Sequence, residues 1–193
     1  MKTIAMDEIL SLADYQRVRE RLRPLFIHEK ERRRLHVGSH LTLLFENAQT
    51  AWYQIEEMIR AEKMTQPEAI AHEIDTYNEL LPGAGELAAT LLIEYAEPRE
   101  RDAALARLVG LESHLWLKAG GQRIAARFDA RQMSEERISA VQFVKFSLEG
   151  VDAARLLELA GKGELAIEAD HPNLAARGEI GGLLAASLAE DLR

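Results

Sequence analysis

The chain has 193 residues, 47% of them hydrophobic and 29% charged, with a net charge of −8; that supports a substantial core and excludes a disordered chain. It contains no cysteine, which excludes disulfides, thiolate catalysis, cysteine zinc sites and iron–sulfur ligation by its own side chains. The charge is uneven: residues 1–40 hold nine Lys/Arg and six Asp/Glu, net +3, and the other 153 residues hold fifteen and twenty-six, net −11.

The opening run MKTIAMDEIL has acids by position 7 and no apolar core long enough for a secretory signal, and no later run reaches membrane-helix length, so a soluble cytoplasmic protein is expected. Asp14 is a candidate N-cap for a helix whose Tyr15, Val18, Leu22, Leu25 and Phe26 share one side, with a kink or break near Pro24. The charged run from Glu29 to Arg34 is expected to carry that helix into solvent. Residues 40–46, HLTLLFE, read as a buried strand, and Val37-Gly38-Ser39 as the turn before it. From Thr50 a helix places Trp52, Ile55 and Ile59 on one stripe, with Glu57 pointing away and Tyr53 at a rim or interface. Pro67 suits the first position of the next helix, where Ile70, Ile74, Tyr77 and Leu81 share a face.

The Pro/Gly cluster from Pro82 to Gly85 marks the best internal boundary, dividing a mostly helical region, 1–84, from an antiparallel α+β region, 85–193, within one compact unit. Beyond it Leu87, Ala89, Leu91 and Ile93 alternate as a half-buried strand, and Pro98 opens a short helix. LWLKA, Gly120-Gly121 and QRIAARF form a hairpin. ISAVQFVKFSL is a strand, Asp152 caps a helix, ELAIEA is a strand left at Asp170-His171-Pro172, and a terminal helix runs from Leu183 to Leu192. The fold class is therefore α+β: an N-terminal helical segment packed on a mainly antiparallel sheet covered by helices, with a split βαβ arrangement as one topology to test.

GSHLTLLFENAQTAWYQIEEMIRAE, DTYNELLPGAGELAATLLIE, LVGLESHLWLKAGGQRIAARFD and RISAVQFVKF together span most of the chain. In these segments it resembles a bacterial and archaeal family known as a domain of unknown function. The resemblance implies genes beside those of rubrerythrin-like proteins and iron–sulfur oxidoreductases, hence a small accessory protein in a peroxide or electron-transfer setting. It supplies no catalytic residues.

Chemistry is thinly signalled. His36 and His40 are four apart, and Glu56 flanks an apolar stripe; a single metal held by these three is one reading, against separate hydrogen-bonded or exposed side chains. Glu62 and Glu73 also fall on apolar faces, where a carboxylate needs a partner. A ferritin-like di-iron centre needs two Glu-x-x-His pairs, and only Glu168 to His171 occurs. His28 and His72 read as exposed, and His114 as a packed neighbour of Trp116. None of the seven serines lies in a Gly-x-Ser-x-Gly context. The basic run Arg32, Arg33 and Arg34, with Tyr53, is a candidate surface for a protein partner or a second copy; nucleic acid is the weaker reading for an acidic chain without interleaved aromatics. Two functions from different classes remain: an accessory or interaction protein serving a redox system, and a metal-binding protein or oxidoreductase component. The sequence names no cofactor.

Overall fold

In the computed structural model, which describes residues 3–132 and 136–192, fifteen helices and strands build two antiparallel sheets and a helical layer. In chain order they are α1 (Leu12–Arg32), β1 (Arg34–Val37), β2 (Leu41–Phe45), α2 (Ala48–Glu62), α3 (Pro67–Leu80), β3 (Glu86–Ile93), α4 (Pro98–Arg107), β4 (Leu115–Ala119), β5 (Gln122–Ala125), β6 (Arg127–Phe128), β7 (Val141–Ser147), α5 (Ala153–Gly161), β8 (Leu165–His171), β9 (Leu174–Glu179) and α6 (Gly182–Asp191). The first sheet has the order β1-β2-β3-β7-β6 and the second β5-β4-β8-β9. Every pairing is antiparallel, so the α+β class holds; the split βαβ topology does not, because in neither strand order does a helix directly join two strands that flank a third. No helix among the described residues is long and apolar enough to cross a membrane.

The alternation read in β3 fixes the layering. Leu87, Ala89, Leu91 and Ile93 enter the large core between the sheets, with Leu115 and Leu117 of β4, Phe146 of β7 and Ile167 of β8. Their even-numbered neighbours face the other way, towards the helical layer. A smaller apolar cluster joins Ile4, Ile55, Ile59, Ile74 and Leu81 inside that layer. The sheets meet most closely where β9 crosses β1: a Cβ on Gly178 would lie 2.6 Å from the His36 carbonyl oxygen, so only glycine fits there.

Several local expectations change. Ser11, not Asp14, caps α1, its hydroxyl accepting from the Asp14 N–H at 3.1 Å. Pro24 does not end the helix; it and Glu20, whose carbonyl loses its helical donor, both lie on the exposed side where water can serve. Asn47 caps α2, and Thr50 completes the box by accepting from the Asn47 N–H at 3.0 Å. QRIAARF does not stay in one sheet: it leaves the second at Ala126 and joins the first as β6. β9, unforeseen, follows β8 through a two-residue turn at Pro172-Asn173.

The largest departure concerns the charged end of α1. It turns inward. Arg33 is 1% exposed. Its Nε donates to the Phe45 carbonyl at 2.8 Å, one terminal nitrogen donates to Ser187 Oγ at 2.6 Å, and the other to the Glu46 carbonyl at 3.3 Å and to Asp191. Burial pushes the Asp191 carboxyl above its ordinary value, against the pull of Arg33. A buried pair of this kind is costly to break and nearly neutral to replace whole. Arg33→Met should therefore lower unfolding stability by about 3–5 kcal/mol, and adding Asp191→Leu should restore most of it, both read by urea denaturation.

Candidate functional site

The outer face of the first sheet is a grid fixed by strand register. One row runs Glu46, Ala88, Lys145, Arg127; the next Arg34, Leu44, Thr90, Phe143; the next His36, Thr42, Leu92, Val141. Rows lie about 7 Å apart and neighbours within a row about 5 Å apart. The middle of the grid is thus mainly apolar and its margins are charged. The helical layer covers it incompletely. A cavity of about 430 Å³ opens between this floor and Lys30, Ala51, Gln54, Tyr77 and Leu80. A second, of about 240 Å³, shares Glu46, Leu80 and Phe143 with the first and reaches Arg127, Asp129, Arg131 and Lys145. An open depression of about 660 Å³ continues past Leu92 and Val141 to His40, Tyr95 and Arg101. Together they form one cleft of ligand size.

Its polar groups are positioned by secondary structure. Glu46, 8% exposed, ends β2 and accepts from Thr50 Oγ1 of α2 and from Thr90 Oγ1 of β3 at 2.6 Å. Lys30 reaches in from α1, donating to Gln54 Oε1 at 2.6 Å with its ammonium 5.3 Å from the Tyr53 ring centroid. Lys145 donates to the Leu81 carbonyl at 2.6 Å. Burial holds both ammonium groups below the ordinary lysine value and pushes the Tyr77 hydroxyl above its own. Arg34 Nε is buried without a hydrogen bond; Glu31 approaches it only to 3.4 Å.

The sequence candidates scatter around this cleft. His36 donates from Nδ1 to Thr42 Oγ1 at 3.0 Å, because that hydroxyl spends its own proton on Glu94 Oε2 at 2.6 Å. His40 uses Nδ1 on the Glu94 carbonyl at 3.1 Å and stacks on Tyr95 with ring centroids 4.0 Å apart. The carboxylate beside these histidines is therefore Glu94. Glu56 lies elsewhere, 1% exposed, accepting from the Leu10 N–H at 2.8 Å. Among the described residues no three His, Asp or Glu side chains gather at metal-binding distance. Arg32 is paired with Glu29 and Glu190, Arg33 is sealed in the core, and Arg34 lines the cleft. Tyr53 is 8% exposed because α1 lies over it, Phe26 stacking on its ring at 4.7 Å; Trp52 is the half-buried one, donating to the Glu8 carbonyl at 2.9 Å. Glu57 does not point away. It accepts from Tyr15 and Arg19, both at 2.7 Å, and from Arg60, which hold its carboxyl down at about 2. Ser134 lies outside the described residues.

Sequence reasoning missed Lys30, Glu46, Lys145 and Phe143; strand register brings the last three together, and α1 carries Lys30 to them. It also missed Asp170, which accepts from His114 Nδ1 at 3.0 Å, Trp116 Nε1 at 3.1 Å and Arg123 on the exposed face of the second sheet.

A two-sheet α+β domain with a cleft beneath its helical layer is thus the class defined by fold and site. The sequence model of the family described as protein of unknown function (DUF3501) matches residues 3–192, and the chain belongs to that family. A solved structure from Burkholderia pseudomallei K96243, described as a novel protein of unknown function, aligns over 100% of both chains at 38% identity with a TM-score of 0.89. No curated protein matches the chain.

Glu56 gives a test of the layer that roofs the cleft. Burial raises its carboxyl from 4.5 to about 7, the Leu10 N–H opposing only in part. Between those values the folded chain keeps a proton that the unfolded chain has lost, so this contribution to stability falls as pH rises through 7. Glu56→Gln, which retains an acceptor for Leu10, should match the wild type near about pH 5 and exceed it by up to roughly 3 kcal/mol above about pH 8 in denaturant titrations.

Proposed function

We propose that the protein is an accessory binding protein and that the cleft over the first sheet holds a small organic molecule. One observation carries this reading: two neighbouring cavities, sharing Glu46, Leu80 and Phe143 as walls, lie over a floor that the helical layer leaves partly uncovered. A floor of Leu44, Leu92, Val141 and Phe143 would be filled by helix side chains if stability were its only purpose. A few oriented polar groups at the margins, Lys30, Arg34 and Glu46, complete the usual make-up of a ligand pocket. The surrounding polar groups are tied to one another rather than set as nucleophile, base and orienting partner, which favours binding over bond-breaking.

Service to a peroxide or electron-transfer system belongs to this proposal and is supported by the family resemblance alone. A cysteine-free chain would contribute there through what it binds or whom it meets. The metal reading gains no specific observation, since His36, His40 and Glu56 each serve a different hydrogen bond.

N-phenyl-1-naphthylamine, an uncharged dye that brightens in apolar sites, should fluoresce with the native protein. Val141 is 39% exposed at the cleft wall, so Val141→Trp should fill the space without disturbing the core. The variant should weaken dye binding about tenfold or more, close to 1.4 kcal/mol, with an unchanged circular dichroism melting profile. Absence of dye binding to the native protein, or equal binding by the variant, would refute the proposal.

A further inference from the structure

We propose that the cleft selects an amphipathic organic anion, a medium-chain or aromatic carboxylate, whose head sits between Lys30 and Arg34 while its body lies over Leu44, Leu92, Val141 and Phe143. This rests on the binding reading above and adds the chemical class of the ligand.

Charge is the first argument. The chain as a whole carries −8, yet the side chains around the two neighbouring cavities comprise five cations and three carboxylates. A cationic recess in an acidic molecule focuses a positive potential where walls of low polarity exclude water. The second argument is which of those cations are spent. Arg127 is paired with Glu86 at 2.8 Å, and Arg131 with Asp129 at 2.7 Å and Glu79 at 2.8 Å. Lys30 and Lys145 donate only to a neutral amide and a backbone carbonyl, and among the described residues neither forms an ion pair. The Nε of Arg34 is out of water with no hydrogen bond. A carboxylate at this end would give Lys30 the charged acceptor it lacks and would lie beside the Arg34 guanidinium.

Glu46 argues against a cationic ligand rather than for one. Each of its carboxylate oxygens already accepts a threonine hydroxyl, Oε1 from Thr90 and Oε2 from Thr50. Its charge also attracts Lys30 and opposes the lowering that burial imposes on that ammonium. An extended peptide is disfavoured by the floor itself. β2 and β3 are each paired on both sides, and the outer side of β7 is taken by β6 at Val144 and Lys145 and by Asp129 and Gln132 at Phe143, leaving little main-chain edge for strand addition. Recognition must come from side chains, which suits a small molecule with one charged head.

The experiment displaces bound N-phenyl-1-naphthylamine from the full chain with decanoate, decanol and decylamine in parallel. Decanoate should displace the dye at about a tenth of the decanol concentration or less, the worth of one charge-assisted contact. Lys30→Met should remove most of that difference and leave decanol displacement as it was. Equal potency of decanoate and decanol in the native protein would overturn the inference while leaving the cleft as a binding site, and stronger displacement by decylamine would assign the charge preference to Glu46 instead. The native comparison needs no variant, so a misfolded Lys30→Met protein leaves the test intact. Failure of the dye to bind at all would remove the binding reading and this inference with it, an outcome distinct from equal potency of decanoate and decanol.

Discussion

A guanidinium sealed from water needs acceptors for its donors, and Arg33 finds them in two separate parts of the chain. The carbonyls of Phe45 and Glu46 come from the end of β2, and the Ser187 hydroxyl and Asp191 carboxylate from α6, more than 150 residues away. The Phe45 N–H in turn donates to the Arg33 carbonyl at 3.0 Å, so side chain and backbone grip the same junction. That junction is where β2 becomes α2. Fixing it fixes Glu46, whose side chain then stands between the cavities with a threonine from the helix on one oxygen and a threonine from the sheet on the other. The position of the helical layer over the sheet therefore depends on an ion pair that lies outside the cleft altogether.

Such an arrangement trades stability for geometry. Burial works against Asp191 even with Arg33 beside it, and apolar side chains of similar volume would pack in that space at no electrostatic cost. What an apolar pair cannot do is aim. Five donors in a fixed plane specify the angles of three elements at once. Elsewhere in the layer the same logic recurs at lower cost: Glu57 gathers Tyr15, Arg19 and Arg60 at the crossing of α1 and α2, and Asn78 pairs both its amide groups with the Ile4 backbone, at 2.8 and 2.9 Å.

Local features of the sequence were readable because local physics sets them. The alternation from Leu87 to Ile93, the Gly120-Gly121 hairpin, Pro67 at a helix start and the Asp152 cap all stand where the pattern puts them. The end of α1 was misread because six charged or basic residues from Glu29 to Arg34 look the same whether solvated or buried; only partners distant in sequence tell them apart. β6 is two residues long and carries no period, and β9, LAARGE, has too few apolar residues to signal a strand, since its exposed side faces solvent as Ala175, Arg177 and Glu179. The cleft was invisible for a related reason. Lys145 meets Ala88 and Glu46 only through the register of β2, β3 and β7, which no window of sequence contains.

The second sheet offers an internal comparison. Its outer face also exposes charge, most of it in closed pairs: Arg123 and His114 with Asp170, and Arg177 with Glu168. Arg123 lies over the Trp116 ring at 4.4 Å, so even its aromatic surface is covered. On the first sheet the pairing is less complete: Arg127 meets Glu86 and Arg34 has Glu31 at 3.4 Å, but Lys30 and Lys145, beside the apolar floor, hold only neutral acceptors. Two sheets of one chain, folded under the same solvent and the same net charge, thus differ in how completely they pair the charge on their outer faces. Selection for solubility and stability alone would give both the closed ladder of the second sheet. The open valences of the first are best understood as left for a molecule that is not part of the chain, and their sign dictates the sign of its charge.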